Sequence, residues 1–465
     1  MSQKTKGLSL GRNFKISLFH LGSGMADVLS TGVWNRIMIS DLGFEAGPVG
    51  LLLSLRYFLT PLGIWAGRIS DRRTILGFRR LFWIWLGRLL MVLSTVGLGF
   101  VTARLVETGE SIATSWLMIG AALIAFSLGN AISGSTFLAL IYDRSTEEQR
   151  GRAVGIVWTM LLVGFTVGGI FFGVALPSTE GATELSFTAA DLLRLFLIGA
   201  GIFAVLWFVS LFGEERRRTY TEFDAAPGES QSIREDLKLV WQDRSMRFFL
   251  IYLVGSMFFA FSQDIILEPF AADVFEMPAQ VTNRFAAYWG GTAILGSLLF
   301  LWLSRRVRWF DTKRMSVIGT FILFVTFILL AISGMAQIRQ MVTPALITLG
   351  LGLGMWNIGT LGLMMDFSPT GGAGTFLGFW TMCVTLARGA GVGSGGWSRD
   401  LWLRITQEPH LAYGLVFAIG AVGLAFSLWA VSQIDVAGFK SAHNGAEDAL
   451  SESEETAAIL AGAME

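Results

Sequence analysis

Charge, cysteine and histidine are all scarce in this chain. Only 15% of its 465 residues are charged, against about 25% in a soluble domain. Hydrophobic residues make up 53%, and the mean hydropathy is +0.59, which excludes a water-soluble globular domain. The 35 Lys and Arg balance the 35 Asp and Glu, so no basic surface argues for nucleic acid. The single cysteine, Cys383, lies in an apolar run and cannot form an internal disulfide; plain packing is its expected role. His20, His410 and His443 form no metal-ligand cluster with neighbouring residues. There is no nucleophile elbow either. The glycine runs LGLGLGM (349–355) and RGAGVGSGG (388–396) sit in apolar spans with no following Lys-Ser/Thr, so they are not phosphate loops. An enzyme is not expected. The apolar runs are too long and continuous for the alternating strands of a membrane barrel.

What is present is helix-length apolar sequence. Spans of about 20 apolar residues cross a bilayer as helices, and twelve such segments can be placed: 14–37, 48–67, 81–102, 115–140, 153–176, 190–212, 247–267, 284–304, 315–336, 342–365, 375–397 and 411–433. The expected fold class is therefore an all-α integral membrane protein of twelve transmembrane helices in two six-helix pseudo-repeats. A first half covers 1–212, a polar linker 213–246, a second half 247–436 and an acidic tail 437–465. The tail is small-residue rich and reads as disordered. Within the linker, the Pro-Gly-Glu-Ser centre reads as flexible, and IREDLKLVW as a short amphipathic helix on the membrane surface.

Most Lys and Arg fall in the N-terminal lead, the even-numbered loops and the linker. Asp41, Glu45, Glu180, Glu184, Asp273 and Glu276 occupy the opposite loops. The positive-inside rule then places both termini in the cytoplasm. The basic lead MSQKTKGLSLGRNFK has no small-residue cleavage site and reads as a cytoplasmic entry to the first helix. The halves also repeat: Asp143, Ser145, Gly151 and Gly155 after the fourth span align with Asp366, Ser368, Gly374 and Gly378 after the tenth. Duplicated halves with a site between them are a transporter plan.

Gly67-x3-Asp71-Arg72 resembles the loop 2–3 motif of the major facilitator superfamily. Gly67 is expected to let two helix ends approach closely. Asp71 is expected to face a helix N-terminus or an arginine and latch the halves on the cytoplasmic side. Asp143 with Arg150 and Arg152 looks like the matching loop 4–5 element. Its counterpart around Asp366 has lost the basic residues, so a latch there must be asymmetric. The plain alternative is a basic loop that only sets topology.

Charges inside spans cost about 2.5–3.5 kcal/mol each on insertion scales and usually face the bundle interior. Here they are Asp27, Arg56, Arg88, Asp264 and Arg388, with Arg36 and Glu268 near the outer ends of spans 1 and 7. Asp27 and Arg56 lie at comparable depth, either as a structural ion pair or as polar contacts or a proton relay in a central cavity. The spacing in QDIILEP sets Asp264 one turn before Glu268 on one face of span 7. Gln263 and Asn357 are further candidates. Small-x-small glycine patterns suit close helix packing. The 16 Trp and 37 Phe suit interfacial belts and lipid-facing bulk.

Beyond these readings, the words NRIMISDLG, FLTPL, ILGFRR, QDIILEPFAADVF, GTFLGFWTM, AYGLVFAIGAVGL and IDVAGF, taken in order from about residue 12 to 440, resemble the PucC family of phototrophic bacteria. The resemblance implies a major facilitator fold of twelve helices in a bacterial inner membrane. It implies support for assembly of light-harvesting antenna complexes, by holding or delivering (bacterio)chlorophyll to nascent antenna polypeptides. Antenna polypeptides and pigment-synthesis enzymes are then the implied partners beside the lipid bilayer. No intrinsic cofactor is implied, only transiently bound (bacterio)chlorophyll. The residues it carries over are Asn35 and Arg36, Arg56 and Pro61, Arg79 and Arg80, and Asp264 and Glu268. An imidazole such as His20, inside span 1, suits the axial position of a chelated magnesium, although polar packing is the plainer role. The stretch LGIWAGRISDRR is more like an ordinary transporter hinge. The rival reading is a proton-coupled secondary transporter of a small organic solute working through Asp27 or Asp264. A scaffold that binds other membrane subunits is a third.

Overall fold

A computed structural model describes residues 7–108, 113–176, 187–215, 240–307, 309–367 and 373–439. The predicted amphipathic linker segment, apart from its last two residues, and the acidic tail after 439 lie outside the described residues. In the first half, α1 (Leu10–Asp27) continues through two π-helical segments, Val28–Trp34 and Ile37–Asp41. It is followed by α2 (Ala46–Phe58), α3 (Thr60–Arg72), α4 (Leu81–Thr108), α5 (Ala113–Arg144), α6 (Glu147–Ala175) and α7 (Ala189–Val209). The second half holds α8 (Arg244–Phe261), α9 (Leu267–Phe275), the single turn α10 (Ala279–Thr282), α11 (Phe285–Arg306), α12 (Thr312–Met335), α13 (Val342–Asp366), α14 (Ala373–Thr406) and α15 (Pro409–Ser432).

Helix occupies each predicted span. Ten helices among the described residues are long and apolar enough to cross a membrane. The helices at the first and eleventh predicted spans are not among those ten. α1 carries the polar run HLGSGMAD, and α14 carries Arg388, Arg399, Asp400 and Arg404.

Two spans are broken, and proline explains both. Pro61 has no N–H to give the carbonyl of Tyr57, and its ring crowds that turn, so the second span bends at Leu59 between α2 and α3. Pro269 likewise leaves the carbonyl of Ile265 without its helical donor. α8 stops at Phe261 and α9 restarts at Leu267. The freed carbonyl accepts instead from Asn35 Nδ2 at 2.9 Å. This corrects the expectation that Asp264 and Glu268 share one helical face: the helix is interrupted between them.

The inner end of the bundle is the one that holds residues 7 and 439. There the first half is tied together by charge. Glu215 accepts from the backbone N–H of Arg79 at 2.7 Å, Arg80 at 3.0 Å and Leu81 at 2.9 Å, capping α4. Arg80 pairs with Asp143 at 3.1 Å and reaches Ser70 Oγ at 2.6 Å. Arg12 and Lys15 meet Glu214 at 2.7 and 3.2 Å. Arg79, Arg80 and Asp143, also expected in the latch, join spans within the first half. The side chains of Asp71, Arg72 and Arg150 lie outside the described residues. In the second half Asp366 accepts from Thr312 Oγ1 at 2.6 Å.

Gly67 is corrected as well. A Cβ there would meet only Ser135 Oγ, at 3.9 Å, whereas a Cβ on Gly63 would lie 2.4 Å from the carbonyl oxygen of Ala131. The close crossing of α3 over α5 is at Gly63, one turn earlier. Arg88, expected as a possible cavity charge, is fully buried in the first half. Its guanidinium lies 4.1 Å from the Phe19 ring centre and 4.7 Å from that of Trp207, a cation–π sandwich that replaces water around the charge.

Candidate functional site between the halves

The halves meet along two seams. α2 runs against α14, and α6 against α11. On the first seam a Cβ on Gly389 would sit 2.8 Å from Tyr57 Cβ, and one on Gly396 would sit 2.3 Å from the carbonyl oxygen of Ala46. On the second, a Cβ on Gly169 would sit 2.7 Å from the amide nitrogen of Ala287. Small residues let backbones touch, as the glycine runs suggested. Past Tyr57 the bend at Leu59 turns α3 onto α5, so the first seam loses α3 toward the inner end.

At mid-depth four charges from four elements converge. Asp27 on α1 pairs with Arg56 on α2, and Ser30 Oγ lies 3.4 Å from the second Arg56 nitrogen. Asp264, in the α8–α9 break, pairs with Arg388 on α14 at 3.2 Å. Gln263 donates to Asp264 at 2.7 Å. The Tyr57 ring stands between the arginines, 5.8 Å from Arg56 and 5.2 Å from Arg388, and Phe261 covers Arg388 at 4.0 Å. Each half thus neutralises its own pair. The Asp27, Asp264 and Arg388 side chains remain 24%, 18% and 30% exposed, so the pairs border a crevice. A guanidinium has five N–H donors, and Arg388 gives Nη2 to Asp264 while its side chain stays 30% exposed. The cluster can therefore donate to carbonyl or carboxylate groups without carrying an uncompensated charge.

Toward the outer end the interface is sealed. Asn35 and Glu268 are buried, and Glu268 faces Gly32 across the gap between the π segment and α9. Asn35 Oδ1, Gln263 Oε1 and Glu268 Oε2 have no protein partner. Arg36 pairs with Asp41 at 2.6 Å and donates across the halves to the carbonyl of Met277 at 3.2 Å. Burial pushes the Asp41 carboxyl up to about 6, against the pull of Arg36. Asp400 of α14 accepts from the first amides of α2, Ala46 at 3.0 Å and Gly47 at 2.7 Å. Arg399 holds Asp400 at 3.0 Å and Asp273 at 2.9 Å, and Tyr413 donates to Asp273 at 2.6 Å. Glu45 pairs with Arg404.

The structure thus brings together Asp27, Arg56, Gln263, Asp264 and Arg388, with Asn35, Arg36 and Glu268 in the seal above. His20 lies deeper toward the inner end, in an aromatic setting of Phe19, Phe137 and Trp158. Asn357 is exposed on α13, with no hydrogen bond tying it to the cluster. Sequence reading missed Tyr57, Phe261, Arg399 and Asp400. The signal for the last two was the charged run WSRDLWLR, which prolongs α14 beyond the predicted span.

A family profile described as PUCC protein matches residues 33–439. The chain belongs to the PucC family. Protein PucC of Rhodovulum sulfidophilum is 30% identical over 410 residues, covering 85% of this chain and 86% of the relative. A protein of Rhodobacter capsulatus named bacteriochlorophyll synthase 44.5 kDa chain is 28% identical over 433 residues, covering 92% of this chain and 96% of its own. Among solved structures, a bacterial homologue of the iron transporter ferroportin in an inward-facing state matches with a TM-score of 0.65 and 14% identity. The match covers 91% of this chain and 99% of that one. That likeness fixes the fold as the major facilitator type, as expected for the family.

Proposed function

We propose that this protein supports assembly of the photosynthetic apparatus, holding (bacterio)chlorophyll in the crevice between its halves and handing it to light-harvesting antenna polypeptides. The observation that carries the reading is the family match across 33–439; the PucC relatives and the relative named as a bacteriochlorophyll synthase chain agree with it. The crevice adds a chemical rationale. Tyr57, Phe261 and Arg388 offer flat and donor-bearing surface, which suits a large apolar ring with polar edges. The proposed setting is a bacterial inner membrane with both termini in the cytoplasm. Antenna polypeptides and pigment-synthesis enzymes are the proposed partners. No enzymatic step is assigned to the chain.

The test is a deletion strain of the phototrophic host, together with the tagged protein gently solubilised from it. The expected result is a loss of antenna absorbance with free-pigment synthesis intact, and bound pigment with antenna polypeptides in the purified protein. Normal antenna levels and a colourless, partner-free protein would overturn the reading. The second reading, a proton-coupled solute transporter, is favoured by one observation, the Asp264–Arg388 pair bordering the crevice. It requires a gradient-driven solute flux in vesicles that collapses in Asp264→Asn.

A further inference from the structure

We infer that the outer end of the second half binds the phosphate headgroup of an anionic phospholipid, in a cavity between the first turns of α11 and α13, with Arg339 as its charge partner. The site is separate from the crevice between the halves. Deeper in the bundle α11 and α13 are in backbone contact, since a Cβ on Gly350 would run into the carbonyl oxygen of Trp289. Nearer the outer end their first turns stand apart and enclose a cavity of about 370 Å³, within the size range of ligand pockets. Phe285 and Val342 give it a buried apolar lining. Tyr288, Arg339, Gln340 and Thr343 give it an exposed polar rim.

Charge makes this cavity unlike the rest of the outer end. Arg36 is neutralised by Asp41, Arg399 by Asp273 and Asp400, and Arg404 by Glu45. Arg339, in the 3-10 turn that leads into α13, has no hydrogen bond or ion pair from its side chain to any described residue. The side chains of Tyr288, Gln340 and Thr343 have none either. No carboxylate lines the cavity; Glu276, at the nearby corner after α9, stays outside the lining and makes no ion pair with Arg339. A guanidinium fits a phosphate with two parallel N–H groups, and the two hydroxyls and the amide add further donors. The rim therefore offers donors and one uncompensated positive charge to a single anion.

The surface below the cavity points to a lipid as the source of that anion. Tyr288, Leu295 and Trp302 recur at seven-residue spacing on α11 and share one face of it. They are 45%, 64% and 56% exposed, with Leu299 exposed between them. From Tyr288 to Trp302 this stripe runs about 21 Å, more than the roughly 15 Å of one hydrocarbon leaflet. An apolar stripe is ordinary on a lipid-facing helix. Here it starts at a cavity whose rim carries an unpaired cation, at the level where tyrosine and arginine meet headgroups. One acyl chain can lie along the stripe while the phosphate sits against Arg339. A soluble phosphate would make no use of it.

The experiment titrates the full-length protein in detergent with dioleoyl phosphatidylglycerol and, separately, with dioleoyl phosphatidylcholine, and counts bound lipid by native mass spectrometry. The wild type is expected to hold one phosphatidylglycerol about fivefold more tightly than phosphatidylcholine, the factor that one arginine near an anionic lipid supplies. Arg339→Gln should bring the two lipids level and leave phosphatidylcholine binding unchanged. Arg339→Lys, which keeps the charge and loses the fork, should retain part of the preference. Arg194→Gln removes an exposed arginine at the outer end of α7 and should leave the preference intact. Inorganic phosphate and chain-free glycerophosphoglycerol should fail to displace the lipid. Equal affinity of the wild type for both lipids overturns the inference. So does a preference that survives Arg339→Gln, or one that falls as far in Arg194→Gln. Displacement by phosphate or by the chain-free headgroup at the concentration of the lipid overturns the lipid as occupant in favour of a soluble phosphate.

Discussion

The two seams between the halves use different physics. The α2–α14 seam is charged from mid-depth to the outer end: Arg56 and Arg388 flank Tyr57, Asp400 caps α2, and Arg404 meets Glu45. The α6–α11 seam is closed by backbone contact at Gly169 and Gly173 and by the Phe165–Trp289 pair at 5.0 Å. Its hydrogen bonds are few, with Gln280 donating to the carbonyl of Leu176 at 3.1 Å and Asn283 reaching that of Phe172 at 3.5 Å. A charged seam can be retuned by a proton, a salt or a polar ligand, because its attraction depends on ionisation. A packed seam answers only to shape. The lesson is that the charged groups between the halves gather on one seam, while small residues and rings pack the other.

The largest break should come from the charged seam. Arg388→Met strands Asp264 without its partner, and breaking a buried pair costs about 3–5 kcal/mol; the partial exposure of both groups places the expected loss at the lower end. Thermal unfolding in detergent measures it. The double variant with Asp264→Asn should recover a large part of that loss, and strictly additive losses would show that the two groups are not coupled.

On the packed seam, Gly169→Val drives a side chain into the backbone of Ala287. The expected cost is about 1–3 kcal/mol from overpacking, with no change in salt dependence. A salt-sensitive response would blur the distinction between the seams. Asp400→Ala removes the cap from Ala46 and Gly47 and should cost about 0.5–2 kcal/mol. It should also speed hydrogen exchange at the Ala46 and Gly47 amides, which lose their acceptor.

A further test concerns pH. The Asp41 carboxyl is raised by burial from 3.8 to about 6 in the folded chain. The folded state therefore holds a proton that the unfolded state has already released between about pH 4 and 6. Stability from this group is greatest below about pH 4, declines as pH rises toward 6, and is level above. Melting curves across that range should flatten in Asp41→Asn relative to the wild type.

Much of the fold was legible because lipid imposes it. Apolar runs of bilayer length, the polar linker and the Asp143/Asp366 repeat place the helices with no tertiary information. The in-span charges were legible for the same reason: a charge in such a run is costly unless paired, and Asp27 and Arg56 are indeed paired. The partnering of Asp264 with Arg388 was not legible, since the two are far apart in sequence and only the meeting of α14 with the α8–α9 break joins them. The proline breaks were half visible. Pro269 is plain in the sequence, but that Asn35 would take the orphaned carbonyl of Ile265 depends on how the two halves dock.

The sequence by itself determined that this is a helical membrane protein in two related halves and, through its short motifs taken in order, that it resembles one family. Those properties follow from hydrophobicity and local spacing, which act over one helix at a time. Only the tertiary structure decided that the loop 2–3 arginines staple one half, that Gly63 and not Gly67 makes the close crossing, and that the charges gather on one seam. Each of those depends on which helix faces which. Helix length and apolarity do not encode that choice; close backbone contact at glycine and the need of every buried charge for a partner do.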